Sequence, residues 1–187
     1  MERAAGFEFA PCPGHLDASA NDFGQSQAIA EILQASASEA SARIYDQAQM
    51  DRSLHGMGTT LTGILFHGDR GYIVHVGDSR AYLMRGGMAR QLTSDHSWLN
   101  EQIQAGLLTE EEAQDSDLKH IITRSVGFER VVEADIVPVS ISMGDVYLLC
   151  SDGFANYVSV DELATLARDH LYSELPQIST ELALDRG

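Results

Sequence analysis

The sequence predicts an α+β fold in which an antiparallel β-sandwich carries helices on its outside. Three observations predict it. A long helical pattern comes early, a series of short segments rich in β-branched and aromatic residues follows, and helical patterns return towards the end. The strand segments are apolar on both faces, which is typical of sheets that are covered on both sides.

The early helix and the segment before it differ sharply in pattern. Residues 1–20 are predicted to be irregular, because Pro11, Pro13 and Gly14 interrupt any regular element. A helix is predicted over residues 22–49, lying with one face on a core. The apolar residues that share this face are three and four positions apart: Ile29, Ile32, Leu33, Ala37, Ala40, Ile44 and Ala48.

The middle and the end of the chain alternate between strands and helices. Four strands of an antiparallel meander are predicted at 59–66, 71–76, 80–84 and 88–92, and the strand pattern returns over 131–141 and 146–150. Two short helices are predicted between 93 and 127, the first capped by Ser94 or Asp95 and ended by Gly106, the second opened by a Thr109–Glu112 capping box. The chain is helical again from Val160, and Pro176 starts a new segment.

The length and the net charge of the chain exclude several classes of function. The 187 residues predict one domain that can bury a core without disulfide bonds. The 12 basic and 28 acidic residues give a formal charge of −16. A chain this acidic repels phosphate backbones and anionic lipid headgroups, so we expect neither a nucleic acid nor a membrane as partner. Divalent cations are a reasonable partner for it.

The compartment is predicted from what the sequence lacks. It has no apolar run as long as a membrane span and no secretory signal pattern. Cys12 and Cys150 lie far apart and form no CxxC pair, which indicates a reducing compartment. Cys150, inside the apolar run VYLLC, is predicted as a small core residue rather than a nucleophile. We therefore predict a cytoplasmic protein, and we expect a monomer.

Two aspartates stand where strands are predicted to end. Asp78 follows the apolar run YIVHVG, and Asp152 follows VYLLCS and precedes Gly153. Carboxylates held at strand ends are rigid oxygen ligands of the kind that Mg²⁺ and Mn²⁺ prefer, and Gly153 would let the backbone approach a ligand closely. Asp beside Gly is also ordinary turn chemistry, so the residues alone leave both interpretations open.

Five short motifs occur together in a fixed order. They are GMGTTLTG (56–63), VGDSRAYL (76–83), LTSDHS (92–97), ITRSVG (122–127) and LLCSDGF (148–154). In this order and at these separations the chain resembles the PPM-type (type 2C-like) metal-dependent serine/threonine protein phosphatases in their bacterial form. The resemblance covers roughly residues 25–187.

The resemblance implies a four-layer αββα fold, incomplete at both ends here, with residues 21–187 forming a partial phosphatase domain. It implies that a water activated by Mn²⁺ or Mg²⁺ hydrolyses phosphoserine or phosphothreonine in proteins, with phosphoproteins and a cognate kinase as partners. Asp152 matches a ligand of the catalytic metal centre, with Gly153 beside it. Asp78 matches a residue of a third, weaker metal site, and residues 93–121 match the flap that borders the active site.

The chain also departs from the family pattern. The family's early aspartate, with its nearby phosphate-binding arginine, is absent, and Gly14-His15 is the nearest match to the Asp-Gly-Met-Gly-Gly-His signature that follows it. The closing Asp-Asn pair is absent too. We therefore expect a truncated or catalytically impaired form with weak metal binding and little turnover. The alternative is a non-catalytic pseudophosphatase module that binds phosphoproteins or a kinase partner.

Four further residues are predicted to have structural roles. His75 alternates with core residues in a strand and is predicted as a packed or edge histidine, while His96 is predicted at a helix start. Arg80 is predicted to form a salt bridge with Asp78 or a neighbouring carboxylate. Arg124 is predicted as an architectural residue of the flap junction rather than a phosphate ligand.

Overall fold

A computed structural model describes residues 20–114, 116, 118 and 121–187. The predicted irregular segment up to residue 19, including Gly14-His15, lies outside these residues. The helices are α1 (Ala20–Met50), α2 (Trp98–Gln104), α3 (Glu110–Gln114), α4 (Asp152–Ala155), α5 (Val160–Asp169) and α6 (Leu175–Arg186). The strands are β1 (Leu61–His67), β2 (Arg70–Val76), β3 (Arg80–Arg85), β4 (Met88–Gln91), β5 (Asp135–Ser140) and β6 (Val146–Cys150).

The strands form two three-stranded antiparallel sheets, in the orders β1-β2-β5 and β4-β3-β6. The prediction of one meander is therefore wrong, because β2 and β3 are consecutive but belong to different sheets. The chain leaves the first sheet at Gly77, whose φ of +108° is a conformation that favours glycine. The strand predicted from residue 131 begins only at Asp135.

The core confirms the predicted order of layers. Between α1 and the first sheet lie Ala37, Val74 and Val76. Ile73 of β2 packs between the two sheets with Ala81 and Val139. Beyond the second sheet, Tyr82, Met84, Leu163 and Leu175 join it to α5 and α6. Successive residues of β2 thus face opposite layers and are buried on both sides, as the apolar run predicted.

Helix α1 is fastened to the loop after the flap by one buried serine. The Ser41 hydroxyl, fully buried, donates to the carbonyl oxygen of Glu129 at 2.7 Å and accepts from the N–H of Gly127 at 2.8 Å. Gly127 has a φ of +94°, and a side chain there would overlap Ile44 of α1. Only glycine therefore lets this loop approach the helix so closely.

Two helices, α2 and α3, lie in the described part of the predicted flap, and one of the two predicted starts is wrong. Ser97, not Ser94 or Asp95, caps α2: its side chain accepts from the N–H of Asn100. The Ser94 hydroxyl instead accepts from the side chains of Asn100 and Gln104. The start of α3 is confirmed, because Thr109 and Glu112 form the reciprocal hydrogen bonds of a capping box.

Among the described residues, none of the helices combines the length and apolar content needed to cross a bilayer.

Candidate metal site

Asp78 and Asp152 line the same cleft. Asp78 follows β2 of the first sheet, and Asp152 follows β6 of the second and is the first residue of α4. The cleft has a volume of about 700 Å³ and is open to solvent. Its remaining walls come from β3, the segment 91–103, Ala113 of α3, Asn156 after α4 and the start of α5. The sandwich thus brings together two carboxylates that are 74 positions apart in the sequence (152 − 78).

The two carboxylates repel each other. Asp78 is half-buried, and burial raises the pKa of its carboxyl above the ordinary value. The negative charge of Asp152 raises this pKa further. Both effects disfavour the ionised form of Asp78 in the absence of a positive charge. A divalent cation bound by both carboxylates would offset this repulsion. The repulsion in the metal-free protein is therefore a feature expected of a cation site.

Asp152 is exposed at the mouth of the cleft, and its carboxylate is partly oriented by its neighbour. The N–H of Gly153 donates to Oδ1 of Asp152 at 2.8 Å. Gly153 itself lines a second, more apolar groove next to α6 and not the cleft. A role for Gly153 at a metal ion therefore stays a prediction, while its N–H has an observed role in fixing the aspartate.

Arg80 forms an ion pair with Asp95. Its Nε donates to Oδ1 and Oδ2 of Asp95 at 2.9 and 3.0 Å, and its Nη2 donates to Oδ2 at 2.7 Å. The Nη1 group donates to the carbonyl oxygen of Ala155 at 3.3 Å, which ties α4 to the same pair. Of the two predicted kinds of partner, the neighbouring carboxylate is the one observed. Asp95, predicted only as a possible helix cap, is this partner, and no local pattern in the sequence indicates the contact.

His75 and His96 form a buried pair behind the cleft. Their ring centroids are 4.8 Å apart, and both residues are at most 8% exposed. His75 contacts the Thr62 hydroxyl through Nδ1 and donates from Nε2 to the carbonyl oxygen of Ser94. Burial lowers the pKa of His75, as does the proximity of His96. His75 is thus a packed histidine, as predicted, and His96 lies just before the cap residue of α2.

Arg124 is an architectural residue, as predicted. Its Nη1 donates to Oδ1 of Asp135 at 2.9 Å and to the carbonyl oxygen of Glu133 at 3.1 Å. Burial alone would raise the pKa of Asp135, but its contacts with His96 and Arg124 hold the pKa below the ordinary value. Arg124 therefore joins the end of the predicted flap to β5 and is not directed at the cleft.

Cys150 is half-buried beside the core under α5 and α6. Burial raises the pKa of its thiol to about 11. A thiol with such a pKa is almost entirely protonated at neutral pH and is a poor nucleophile, as the sequence predicted.

The donor set of the cleft is small. Among the side chains that the structure describes, no three from His, Cys, Asp or Glu lie together in a way that would hold a metal ion. Metal binding by Asp78 and Asp152 stays a prediction, and a cation held by these two carboxylates alone would need water as its remaining ligands. A centre of two metal ions needs more carboxylates than these residues supply.

Comparisons with known proteins agree with the motifs. The sequence profile described as Protein phosphatase 2C matches residues 9–102. Protein phosphatase PhpP of Streptococcus pneumoniae is 42% identical over 130 residues, which are 70% of this chain and 51% of that protein. The chain therefore spans about half the length of this curated relative.

Two solved structures have the same fold. The S. agalactiae serine/threonine phosphatase superposes with a TM-score of 0.81 at 36% identity, over 89% of this chain and 69% of that one. The catalytic domain of the serine/threonine protein phosphatase PstP, in complex with two manganese ions, superposes with a TM-score of 0.74 at 37% identity, over 83% of this chain and 64% of that one. From the profile match, the shared fold and this identity, we conclude that the chain belongs to the protein phosphatase 2C family.

Proposed function

We propose that this chain is a phosphatase domain that hydrolyses phosphoserine and phosphothreonine in proteins with the help of Mn²⁺ or Mg²⁺. One observation carries the proposal: Asp78 and Asp152, from different sheets, line one cleft and interact electrostatically. The printed names of the relatives as serine/threonine phosphatases, and the two manganese ions of the PstP complex, support the same chemistry.

The carboxylates of Asp78 and Asp152 would hold the cation. When bound, a divalent ion neutralises charge on the phosphoryl group and lowers the pKa of a coordinated water. Asp95 holds the Arg80 guanidinium in an ion pair. The charge of Arg80 offsets only part of the repulsion on Asp78, whose pKa stays above its ordinary value. With only two protein ligands, we expect metal affinity to be weak and turnover to be slow.

The predicted flap, residues 93–121, would bound the substrate side of the cleft. Ser94, Ser97 and Asn100 from this segment line the cleft together with Leu99. The hydroxyl and amide groups of the first three make this wall of the cleft polar without adding charge, and they are held in place by hydrogen bonds to one another and to Gln104. We infer phosphoproteins of a serine/threonine kinase pathway as substrates, and a cytoplasmic monomer as the working form.

A second function is favoured by the small donor set. The described residues place three carboxylates at the cleft, of which Asp95 is paired with Arg80, and they form no cluster of three side chains that could hold a metal ion. With so few ligands, the same cleft and flap would bind a phosphoprotein or a kinase partner without hydrolysis. This alternative makes the chain a non-catalytic module of the same family.

Hydrolysis of p-nitrophenyl phosphate in millimolar Mn²⁺ separates the two functions. The chain is compared with Asp152→Asn and with Asp169→Asn, which removes an exposed carboxylate at the end of α5. The proposal expects slow hydrolysis that requires Mn²⁺, is lost in Asp152→Asn and is retained in Asp169→Asn. Absence of hydrolysis, combined with retained binding of a phosphoserine peptide, would support the non-catalytic module instead.

A further inference from the structure

A single residue holds both backbone groups of Gly77, the residue before Asp78. The N–H of Gly77 donates to Nδ1 of His96 at 3.0 Å. The N–H of His96 donates in return to the carbonyl oxygen of Gly77 at 2.7 Å. Gly77 has a φ of +108°, and a side chain on it would overlap Thr60. The turn that presents Asp78 is therefore constrained, and His96, from the predicted flap, makes the two hydrogen bonds that hold it.

The imidazole of His96 is held at both ring nitrogens. Because a peptide N–H can only donate, Nδ1 of His96 accepts from Gly77. Nε2 lies 3.2 Å from Oδ2 of Asp135 and 3.0 Å from Nη1 of Arg124. Asp135 is held in turn by Nη1 of Arg124 at 2.9 Å. The two side chains behind His96 thus keep its Nδ1 lone pair directed at Gly77.

His96 also joins the two ends of the predicted flap. Its carbonyl oxygen accepts from the N–H of Thr123 at 2.9 Å, where the chain returns from the flap. The next residue, Ser97, caps α2 and pairs with Ile122. His96 is only 8% exposed and is not among the residues that line the cleft. A change at this position therefore acts on the cleft through the backbone and not by touching a ligand.

We infer that His96 is a positioning residue: it holds the Gly77–Asp78 turn so that the Asp78 carboxylate points into the cleft. Hydrogen bonds to a group that orients a metal ligand commonly change metal affinity by about 10–100-fold. The consequence for metal binding rests on the proposed function. The orientation of Asp78 does not, and it is measured separately.

Two substitutions of His96 separate its two ring nitrogens. In His96→Asn, the amide oxygen occupies nearly the position of Nδ1 and keeps an acceptor for the Gly77 N–H. In His96→Gln, the amide lies near the position of Nε2, so it reaches Asp135 and leaves the Gly77 N–H without its acceptor. His55→Gln is the matched control, because His55 is exposed before β1.

Nuclear magnetic resonance and Mn²⁺ titration provide the readouts. In His96→Gln we expect the Gly77 amide to exchange with solvent about tenfold faster, the Asp78 side chain to populate more than one rotamer, and Mn²⁺ affinity to fall about tenfold. In His96→Asn and in the control, all three quantities are expected to stay within about twofold of the unsubstituted chain. Rescue by asparagine is a result that a merely space-filling role of His96 would not produce.

The inference is overturned if Gly77 exchange and the Asp78 rotamer are unchanged in His96→Gln. It is also overturned if His96→Asn behaves like His96→Gln, and this second comparison decides the matter if the glutamine variant does not fold. An unsubstituted chain that binds no Mn²⁺ would contradict the proposed function, while the exchange and rotamer measurements would still decide the role of His96.

Discussion

Replacing Asp95 by asparagine removes the only charge that the guanidinium of Arg80 directly contacts among the described residues. The three donor–acceptor distances of this pair are 2.7, 2.9 and 3.0 Å. The side chains of Arg80 and Asp95 are 25% and 14% exposed. Burial alone would lower the pKa of Arg80, but Asp95 raises it above the ordinary value. An arginine is not deprotonated in proteins, so the guanidinium stays charged when Asp95 is replaced by a neutral residue.

The expected loss of stability follows from this burial. Removing one partner of a fully buried ion pair costs about 3–5 kcal/mol, because the other charge is left without compensation. Since a quarter of the Arg80 side chain is in contact with water, solvent screening reduces the loss to about 2–3 kcal/mol. The asparagine oxygen still accepts one hydrogen bond from the guanidinium, which also keeps the loss below that of a fully buried pair.

Urea denaturation of the chain and of Asp95→Asn measures the difference. Asp46→Asn is the matched control, because its ion pair with Arg130 is exposed, with side chains 43% and 66% accessible. We expect the control to change the free energy of unfolding by less than about 0.5 kcal/mol. A loss in Asp95→Asn no larger than that of the control would refute the reasoning that this pair is held in a low-dielectric environment.

Three further predictions concern single sites. Because the pKa of Asp78 is raised in the folded state, its ionised carboxylate destabilises the metal-free protein at a pH above that pKa. Asp78→Asn should therefore increase the free energy of unfolding at pH 7, and this gain should vanish near pH 3, where the carboxyl is protonated in both states. Urea denaturation at both pH values measures the difference. Gly127→Ala should lower the free energy of unfolding by about 2–4 kcal/mol, because Gly127 has a positive φ and the new methyl group would overlap Ile44. Calorimetry measures this loss, and an unchanged melting temperature would contradict the described turn. In a Cys12→Ser background, Cys150 should react with iodoacetamide at pH 8 on the order of a hundredfold more slowly than free cysteine, and a rate close to that of free cysteine would contradict its burial.

The layers of the fold are predictable because they follow from side-chain periodicity. The spacing of apolar residues in α1 and the continuous apolar run of β2 indicate directly which surfaces are buried. The division into two sheets is not predictable in this way. Only three residues, 77–79, separate β2 from β3, which suggests a hairpin, but β2 pairs with β5 and β3 with β6. Those partners lie more than 50 residues further along the chain, so no local pattern reveals them.

The two aspartates of the candidate site can be selected from the sequence, whereas the residues that surround them cannot. The strand-end positions of Asp78 and Asp152 are visible in the sequence, but their common cleft depends on how the two sheets pack. Ser94, Asp95 and Ser97 are all good cap residues by type. Tertiary contacts select among them, because Asp95 is bound to Arg80 and the Ser94 hydroxyl is occupied by side chains of α2. Such contacts across the fold leave no trace in residue spacing.

The central claim is that Asp78 and Asp152 together bind a divalent cation. Isothermal titration of Mn²⁺ into the chain, Asp78→Asn, Asp152→Asn and the control Asp169→Asn tests it most directly. We expect a binding heat in the unsubstituted chain and in the control, and its loss in both cleft variants. Equal heats in all four proteins would contradict the claim, because the ion would then be bound without either carboxylate of the cleft.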